Sequence, residues 1–168
     1  VELLLQNGAD SNAQEFEKRS VFVKKIPYKI QLDGLLDEGI WDQAETATDF
    51  WQMFPTDSLR STNNTTVKLL YDDTHIYIGA KAEGIGADFM VSSLKRDFSA
   101  RSNDNVTFLF DTFRDGQNAF LFGVSAYGVQ REGLISNRGI NISGFNLTWD
   151  IKWQAESTKD ENSFTIEI

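Results

Sequence analysis

The sequence predicts an all-β protein, a single antiparallel β-sandwich with one short helix near residues 38–45. Segments of alternating apolar and polar residues recur at roughly 8–12-residue spacing, and Gly, Asn and Asp mark the turns between them. Helical periodicity is confined to one short stretch near the start of the domain. The length of 168 residues suits one domain, and thirteen Phe and four Trp supply bulky core residues.

The first 19 residues are predicted to flank the domain. VELLL is predicted to form a short helix that Gly8 and Asp10 interrupt. This flank is either a fused leader or the remnant of a signal peptide, because SNA at 11–13 resembles a signal-peptidase site. The domain itself is predicted to span residues 20–168 and to be cut at its C-terminus, since the last residue lies inside an apparent strand.

The stretch LDGLLDEGIWDQAE at 32–45 combines a turn, several carboxylates and a tryptophan. It admits two interpretations: acids beside a sugar-binding aromatic, or a plug that fastens the chain to a sheet. Asp33-Gly34 is a turn signal, and Asp37 is a suitable N-cap for a helix over 38–45. Trp41 and Ala44 would face the sheet three residues apart, so Trp41 is predicted to be a core residue.

Strands account for almost everything from residue 65 onwards. A hairpin is predicted about Asp73-Thr74, and the segment 105–113 is apolar on both faces, which is typical of a central strand. The predicted strands of this region are 66–72, 75–84, 105–113, 118–128, 129–136, 147–157 and 163–168. Alternation predicts the inward residues of the first hairpin to be Val67, Leu69, Tyr71, Ile76, Ile78, Ala80 and Ala82.

Charge and composition exclude several classes of function. The net charge of −9 disfavours binding to nucleic-acid phosphates. The absence of Cys excludes zinc–thiolate sites, and the single histidine, His75, excludes a multi-histidine metal site. Glycoside hydrolysis requires two carboxylates that face each other across a cleft, and Asp33, Asp37 and Glu38 are too crowded in sequence for that geometry. The sequence therefore predicts a protein that is not an enzyme.

An ordered set of segments carries a family resemblance. In chain order the segments are LDGLLDEGIWDQAE, VKLLYDDTHIYIGAKAE, KRD at 95–97, DNVTFLFDTFRDGQNAFLFGVSAYGVQREG and WDIKWQAE. Over residues 27–168 the chain resembles the family 9 carbohydrate-binding-module-like domain, in particular the version at the N-terminus of uncharacterised Bacteroidetes-type outer-membrane β-barrel proteins. The resemblance implies a β-sandwich that binds glycans, with bound calcium in characterised relatives.

The same resemblance implies a location and partners. It places the domain in the periplasm or at the cell surface, associated with the outer membrane, as part of a larger protein. The implied partners are a carbohydrate or polysaccharide and the membrane barrel that follows in the same chain. The domain itself is not expected to insert into the membrane.

Sugar binding requires flat aromatic faces and planar polar groups. The aromatic candidates are Trp51 in a polar loop, Trp149 beside a Gly/Asn-rich loop, and Tyr127. The polar candidates are Arg96 and Asp97 in a turn-like stretch, because a guanidinium can grip two vicinal hydroxyls. The alternative for Arg96 and Asp97 is a surface or cross-strand salt bridge, and the same alternative applies to Arg131 and Glu132.

Two further groups of residues have a structural and a functional interpretation. Trp149, Ile151 and Trp153 alternate on one predicted strand face, and the isoleucine between them predicts a core face with Trp149 at its rim. Asp104 and Asp111 flank the apolar segment 105–113, and each carboxylate needs a partner. That partner is an arginine, backbone amides or a cation, so both are weak candidate ligands for calcium.

Taken together, these observations predict a non-catalytic carbohydrate-binding module that holds its glycan by aromatic stacking and polar side chains. The alternative is a structural domain that docks on the following membrane barrel without binding sugar. The exposure of Trp51 and Trp149 discriminates between the two, because burial of both favours docking.

Overall fold

The computed structural model describes residues 2–5, 19–52, 59–84, 88–139 and 144–168, with the backbone alone for 2–5. Nearly all regular structure in these ranges is strand, and the helical residues include two short 3-10 turns, Trp41–Gln43 and Asn137–Gly139. The strands are β1 (Glu2–Leu5), β2 (Arg19–Phe22), β3 (Lys24–Lys25), β4 (Thr46–Ala47), β5 (Thr65–Tyr71), β6 (Ile76–Glu83), β7 (Asn105–Phe110), β8 (Ala119–Ser125), β9 (Gln130–Ile135), β10 (Phe145–Asn146), β11 (Glu156–Lys159) and β12 (Ser163–Glu167).

Two sheets form the sandwich. The larger has the order β11-β12-β6-β5-β3, with β4 also paired to β5, and the smaller has the order β10-β9-β8-β7. Their pairings are antiparallel except for the two-residue parallel pair of β3 with β5. This architecture confirms the predicted all-β sandwich. The helix predicted for VELLL is wrong, because β1 pairs with β2 in a separate two-stranded ribbon.

The core between the sheets follows the predicted alternation. The buried residues Val67, Leu69, Ile78 and Ala80 of the larger sheet pack against Phe108 and other partly buried residues of the smaller one. One member of the predicted inward set is wrong, because Ile76 is 58% exposed. It lies at the start of β6, opposite Tyr71 in the last pair before the hairpin turn.

The outer face of the larger sheet is buried as well. Leu70 and Tyr77, whose side chains point away from the sandwich core, are 0% and 5% exposed. The chain from Ile26 to Ala44 covers them and contributes Trp41 to a second core cluster. Burial on both faces explains why consecutive leucines occur in β5, where simple alternation predicts one of them to be polar.

Trp41 is the centre of this covering segment. Its side chain is 0% exposed, and its indole Nε1 donates to Oε1 of the fully buried Glu167 at 3.0 Å. The other oxygen of Glu167 accepts from the backbone N–H groups of Asp33 and Gly34 at 2.9 and 3.0 Å. One carboxylate on β12 therefore holds both the Asp33-Gly34 turn and the tryptophan, which confirms Trp41 as core.

The predicted helix over 38–45 is wrong in length and in its cap. The structure has a single 3-10 turn, Trp41–Gln43, whose N-cap is Ile40 with no side-chain hydrogen bond, so Asp37 does not cap it. Ala44 already has extended dihedrals, because the chain enters β4 two residues later. Ala44 is 8% exposed and faces the sheet as predicted.

Two strand predictions also need correction. The segment 105–113 supplies β7, which is an edge strand of the smaller sheet and not a central one, and Leu109 on its outer face is 58% exposed. The strand predicted over 147–157 begins at Glu156, and residues 149–155 have no regular secondary structure. These irregular residues run beside β9 and form part of the site described next.

Candidate functional site

The structure brings three of the five predicted sugar-binding residues into one neighbourhood. Arg96, Asp97 and Trp149 lie around the residues of β8 and β9. Trp51 and Tyr127 lie elsewhere, each beside a cation of its own. The candidate site is therefore built around Arg96. Trp51 and Tyr127 are not among the residues that contact Arg96.

Arg96 is fixed by a buried carboxylate that sequence reasoning did not single out as its partner. Glu132 of β9 is 1% exposed, and its Oε1 accepts from Arg96 Nε at 2.9 Å and from Arg96 Nη2. A buried carboxylate requires a cationic or hydrogen-bonding partner, and Arg96 supplies it. The hydrogen bond with Glu132 raises the pKa of Arg96 above its ordinary value. The guanidinium is thus charged and held in one orientation.

The salt-bridge alternative for Arg96 is confirmed, yet the side chain stays accessible. It is 44% exposed despite its bond to Glu132. Its Nη2 lies 3.3 Å from Oδ1 of Asp150, whose side chain is 80% exposed, and its Nη1 donates to Gln130 Oε1 at 3.2 Å. The guanidinium therefore joins a buried anchor to polar groups that face solvent.

Asp97 fastens this loop to the edge of β9. Its backbone N–H donates to the Gln130 carbonyl oxygen at 3.1 Å, and its Oδ1 accepts from the Glu132 N–H at 3.3 Å. Its backbone has a φ of 60°, in the left-handed region that aspartate tolerates better than most residues. Asp97 thus positions Arg96 through the backbone, although its side chain is exposed.

One tryptophan contacts the Arg96–Glu132 pair, and a second packs on the aromatic residues of β8. Trp153 donates from Nε1 to Glu132 Oε2 at 3.2 Å, and its ring lies 5.2 Å from that of Phe122 in an edge-to-face arrangement. Trp149 packs against the rings of Phe120 and Phe122 at 5.3 and 6.1 Å. Both indoles are partly buried. The prediction of a buried face through Ile151 is wrong, because Ile151 is 43% exposed on an irregular segment.

These residues border an open groove of about 350 Å³, which we call the Arg96 groove. One indole, one guanidinium and one exposed carboxylate meet in it, so it combines an aromatic surface with hydrogen-bond donors and acceptors. The lining residues are Arg96, Asp150, Ile151, Lys152 and Trp153. Asp150 was not predicted as a site residue, and Glu132 was considered only together with Arg131 and not as the partner of Arg96.

Trp51 lies apart from this groove. It is partly buried and forms an isolated antiparallel bridge with Arg60, whose Cζ lies 4.6 Å from the centroid of the indole ring. Arg60 also donates from Nη1 to the backbone oxygen of Asp49. One face of the Trp51 ring is therefore covered by a cation, which leaves a smaller aromatic surface than the prediction required.

Tyr127 lies in the turn between β8 and β9. It is 41% exposed, and the Lys159 Nζ lies 5.0 Å from its ring centroid. The turn itself depends on Gly128, which follows with a φ of +75°. Tyr127 is thus an accessible aromatic, though not one that lines the Arg96 groove.

The two predicted calcium ligands do not form one site. Asp104 and Asp111 flank opposite ends of β7, and the six extended residues between them place their backbones about 23 Å apart. Asp104 Oδ2 accepts from the Met90 N–H at 2.6 Å, and Asp111 Oδ2 accepts from the Gly116 N–H at 2.7 Å. In the described ranges there is no group of three or more acidic or histidine side chains placed to hold a metal ion. Backbone amides are thus the partners, and calcium stays a prediction without a ligand set.

Comparisons with known proteins support the fold. No protein-family model and no curated protein matches the chain. Among solved structures, the chain is similar to a family 9 carbohydrate-binding module from Caldicellulosiruptor kristjanssonii in complex with cellotriose, with a TM-score of 0.54 and 17% sequence identity. The match covers 88% of this chain and 66% of the other, so this chain spans just under two thirds of that chain's length.

Over the part of the chain that the structure describes, no helix is long and apolar enough to cross a membrane. The likeness to the solved module extends over 88% of the chain. It confirms that the chain has the fold implied by its resemblance to the family 9 modules.

Proposed function

We propose that this domain is a non-catalytic carbohydrate-binding module whose glycan lies in the Arg96 groove. The observation that carries the proposal is the Arg96 side chain, which the buried Glu132 fixes beside the Trp153 indole while 44% of the side chain stays exposed. The similar fold of a module that holds cellotriose supports the same ligand class.

The groove offers the contacts that a pyranose needs. An indole edge or face can pack against the C–H groups of the sugar ring. The second N–H of Arg96 Nη1, beyond the one that donates to Gln130, can donate to a hydroxyl oxygen, and the exposed Asp150 carboxylate can accept from hydroxyl groups. Glu132 has both oxygens engaged by Arg96 and Trp153, so its part is to fix those two side chains before the ligand arrives. Such preorganisation reduces the entropy lost on binding.

Binding is tested by affinity electrophoresis and calorimetry with soluble glucans, xylans and mannans. The Arg96→Lys variant keeps the charge and loses the planar fork, and we expect it to weaken binding by about tenfold or more, the equivalent of about 1.4 kcal/mol. Arg60→Lys is the matched control. Arg60 pairs with Trp51, apart from the groove, so this variant should leave affinity unchanged. Failure of the wild-type domain to bind any of these polysaccharides contradicts the proposal.

The alternative is a docking domain that packs on a following membrane barrel. Burial of both Trp51 and Trp149 would favour docking. Neither residue is buried, so their exposure does not favour the docking alternative. Its support is the apolar surface near β7, where Leu109 and Phe113 are 58% and 72% exposed. Replacing both residues by Ser would release a docked barrel domain without changing glycan affinity, and co-purification of the two domains measures this.

The cellular setting belongs to the same proposal. We place the domain in the periplasm or at the cell surface, in a larger outer-membrane protein, on the basis of the resemblance in its sequence. Calcium is proposed as a stabilising ion at a site other than a shared Asp104–Asp111 pair. Cell fractionation tests the location, and melting temperatures with calcium and with a chelator test the ion.

A further inference from the structure

A second groove adjoins the Arg96 groove, and the Gln130 side chain links the two. Gln130 accepts from Arg96 Nη1 through Oε1 at 3.2 Å, and its Nε2 donates to the Trp153 carbonyl oxygen at 3.3 Å. Arg96 and Trp153 line the first groove, while Gln130 itself lines the second. The Gln130 side chain therefore connects the two grooves, because it lines the second and is hydrogen-bonded to two residues that line the first. We call the second one, of about 420 Å³, the Gln154 groove.

One stretch of chain passes along both grooves. Residues 150–153 line the Arg96 groove, and residues 154–156 line the Gln154 groove. Glu156 begins β11, which is paired with β12, so the far end of this stretch is anchored to the larger sheet. The two grooves therefore follow one another along a single segment whose far end is anchored in the larger sheet.

The Gln154 groove has the chemistry of a second sugar position. Gln154 and Glu156 are exposed and offer an amide and a carboxylate to hydroxyl groups. Ile30 and Leu32 contribute apolar surface on the other side. Tyr127 does not line the groove, but it precedes the lining residue Gly128, and its 41% exposed ring lies beside Lys159. Polar groups and apolar surface are thus found here as they are around Arg96, and an exposed aromatic residue is next in sequence to a lining residue.

We propose that the ligand is a glycan chain of several units that lies across Gln130 and occupies both grooves, with Tyr127 at its far end. This inference rests on the proposed function, because it assumes that sugar binds in the Arg96 groove. It assigns the Gln154 groove as a second binding position and the ligand class as a chain and not a single terminal sugar.

Calorimetry with oligosaccharides of two, four and six units from cellulose, xylan and mannan tests the inference. In the series that binds, we expect affinity to rise by about tenfold or more from two units to six, because the longer chains gain contacts in the second groove. The variants Gln154→Ala and Tyr127→Ala should each reduce affinity for the long chains by severalfold and leave affinity for the disaccharide unchanged.

The matched controls are Gln117→Ala and Phe113→Ala. Both residues are exposed and lie between β7 and β8, at the end of β8 opposite to Tyr127. They should not alter affinity at any length. Equal wild-type affinity for short and long chains overturns the inference, as does equal loss at all lengths in the Gln154 and Tyr127 variants. Absence of binding at every length overturns the proposed function itself, so the two failures are distinguishable.

Discussion

Replacement of Trp41 by alanine tests the role of the segment that covers the larger sheet. The side chain is 0% exposed and packs with Leu70 and Tyr77, so its loss leaves a cavity beneath the segment. Removal of a buried aromatic side chain costs about 3–5 kcal/mol. The variant also removes the indole donor from the buried Glu167, and an unsatisfied buried acceptor costs a further ~1–3 kcal/mol. The expected loss in the free energy of unfolding is thus about 4–7 kcal/mol after allowance for relaxation.

A total stability of about 5–15 kcal/mol means that Trp41→Ala can leave the domain largely unfolded. Trp41→Phe therefore accompanies it, because phenylalanine keeps most of the buried area and removes only the indole N–H. We expect it to cost about 1–3 kcal/mol, measured by urea denaturation followed by circular dichroism. A Trp41→Ala variant with unchanged unfolding free energy, or with intact stability and lost glycan binding, would refute the assignment of Trp41 to the core.

The remaining predictions concern a turn and two carboxylates. Gly34→Ala should destabilise the domain by more than about 1 kcal/mol in urea denaturation, because φ is +83° and a Cβ would lie 2.8 Å from the Ser157 carbonyl carbon; equal midpoints for the two proteins would contradict this. Asp72 accepts from the Thr74 N–H, and its pKa is lowered mainly by that bond, so its stabilisation is present above pH 3.8 and is lost as the pH falls through the folded pKa. Asp72→Asn should flatten the acid limb of a melting-temperature profile, and an unaltered limb would count against the assignment. Burial raises the pKa of Glu167, so its contribution is present below pH 4.5 and is lost as the pH rises through the folded pKa. The difference in unfolding free energy between wild type and Glu167→Gln should therefore shrink with rising pH, and a constant difference would argue against this mechanism.

Most of the strands could be predicted from the sequence because the alternation of apolar and polar residues lies within each strand itself. Alternation located β5 and β6 and their hairpin, and the turn signals located the connection from β8 to β9. The same local rules failed where another part of the chain decides the outcome. Leu70 is buried because the segment around Trp41 covers it, and the sequence of β5 does not by itself indicate that contact.

The candidate site could be predicted only in part for the same reason. Arg96 was identified from its residue type and its turn-like context. Glu132, its buried partner, lies 36 residues away, and the two meet because Asp97 attaches the loop to β9. Trp51 was predicted from its polar loop, but the ring pairs with Arg60 through a bridge that sequence spacing does not reveal.

The sequence by itself determined the all-β class, the positions of most strands and turns, the core role of Trp41 and the exclusion of thiolate and multi-histidine chemistry. These properties follow from residue type and from the two-residue period of a strand, which are local. The tertiary structure decided which residues of different strands meet: Glu132 with Arg96, Glu167 with Trp41, and Asp104 away from Asp111. Such contacts depend on the order of strands in the sheets and on the register between them, since these set the distances between residues that are far apart in the chain.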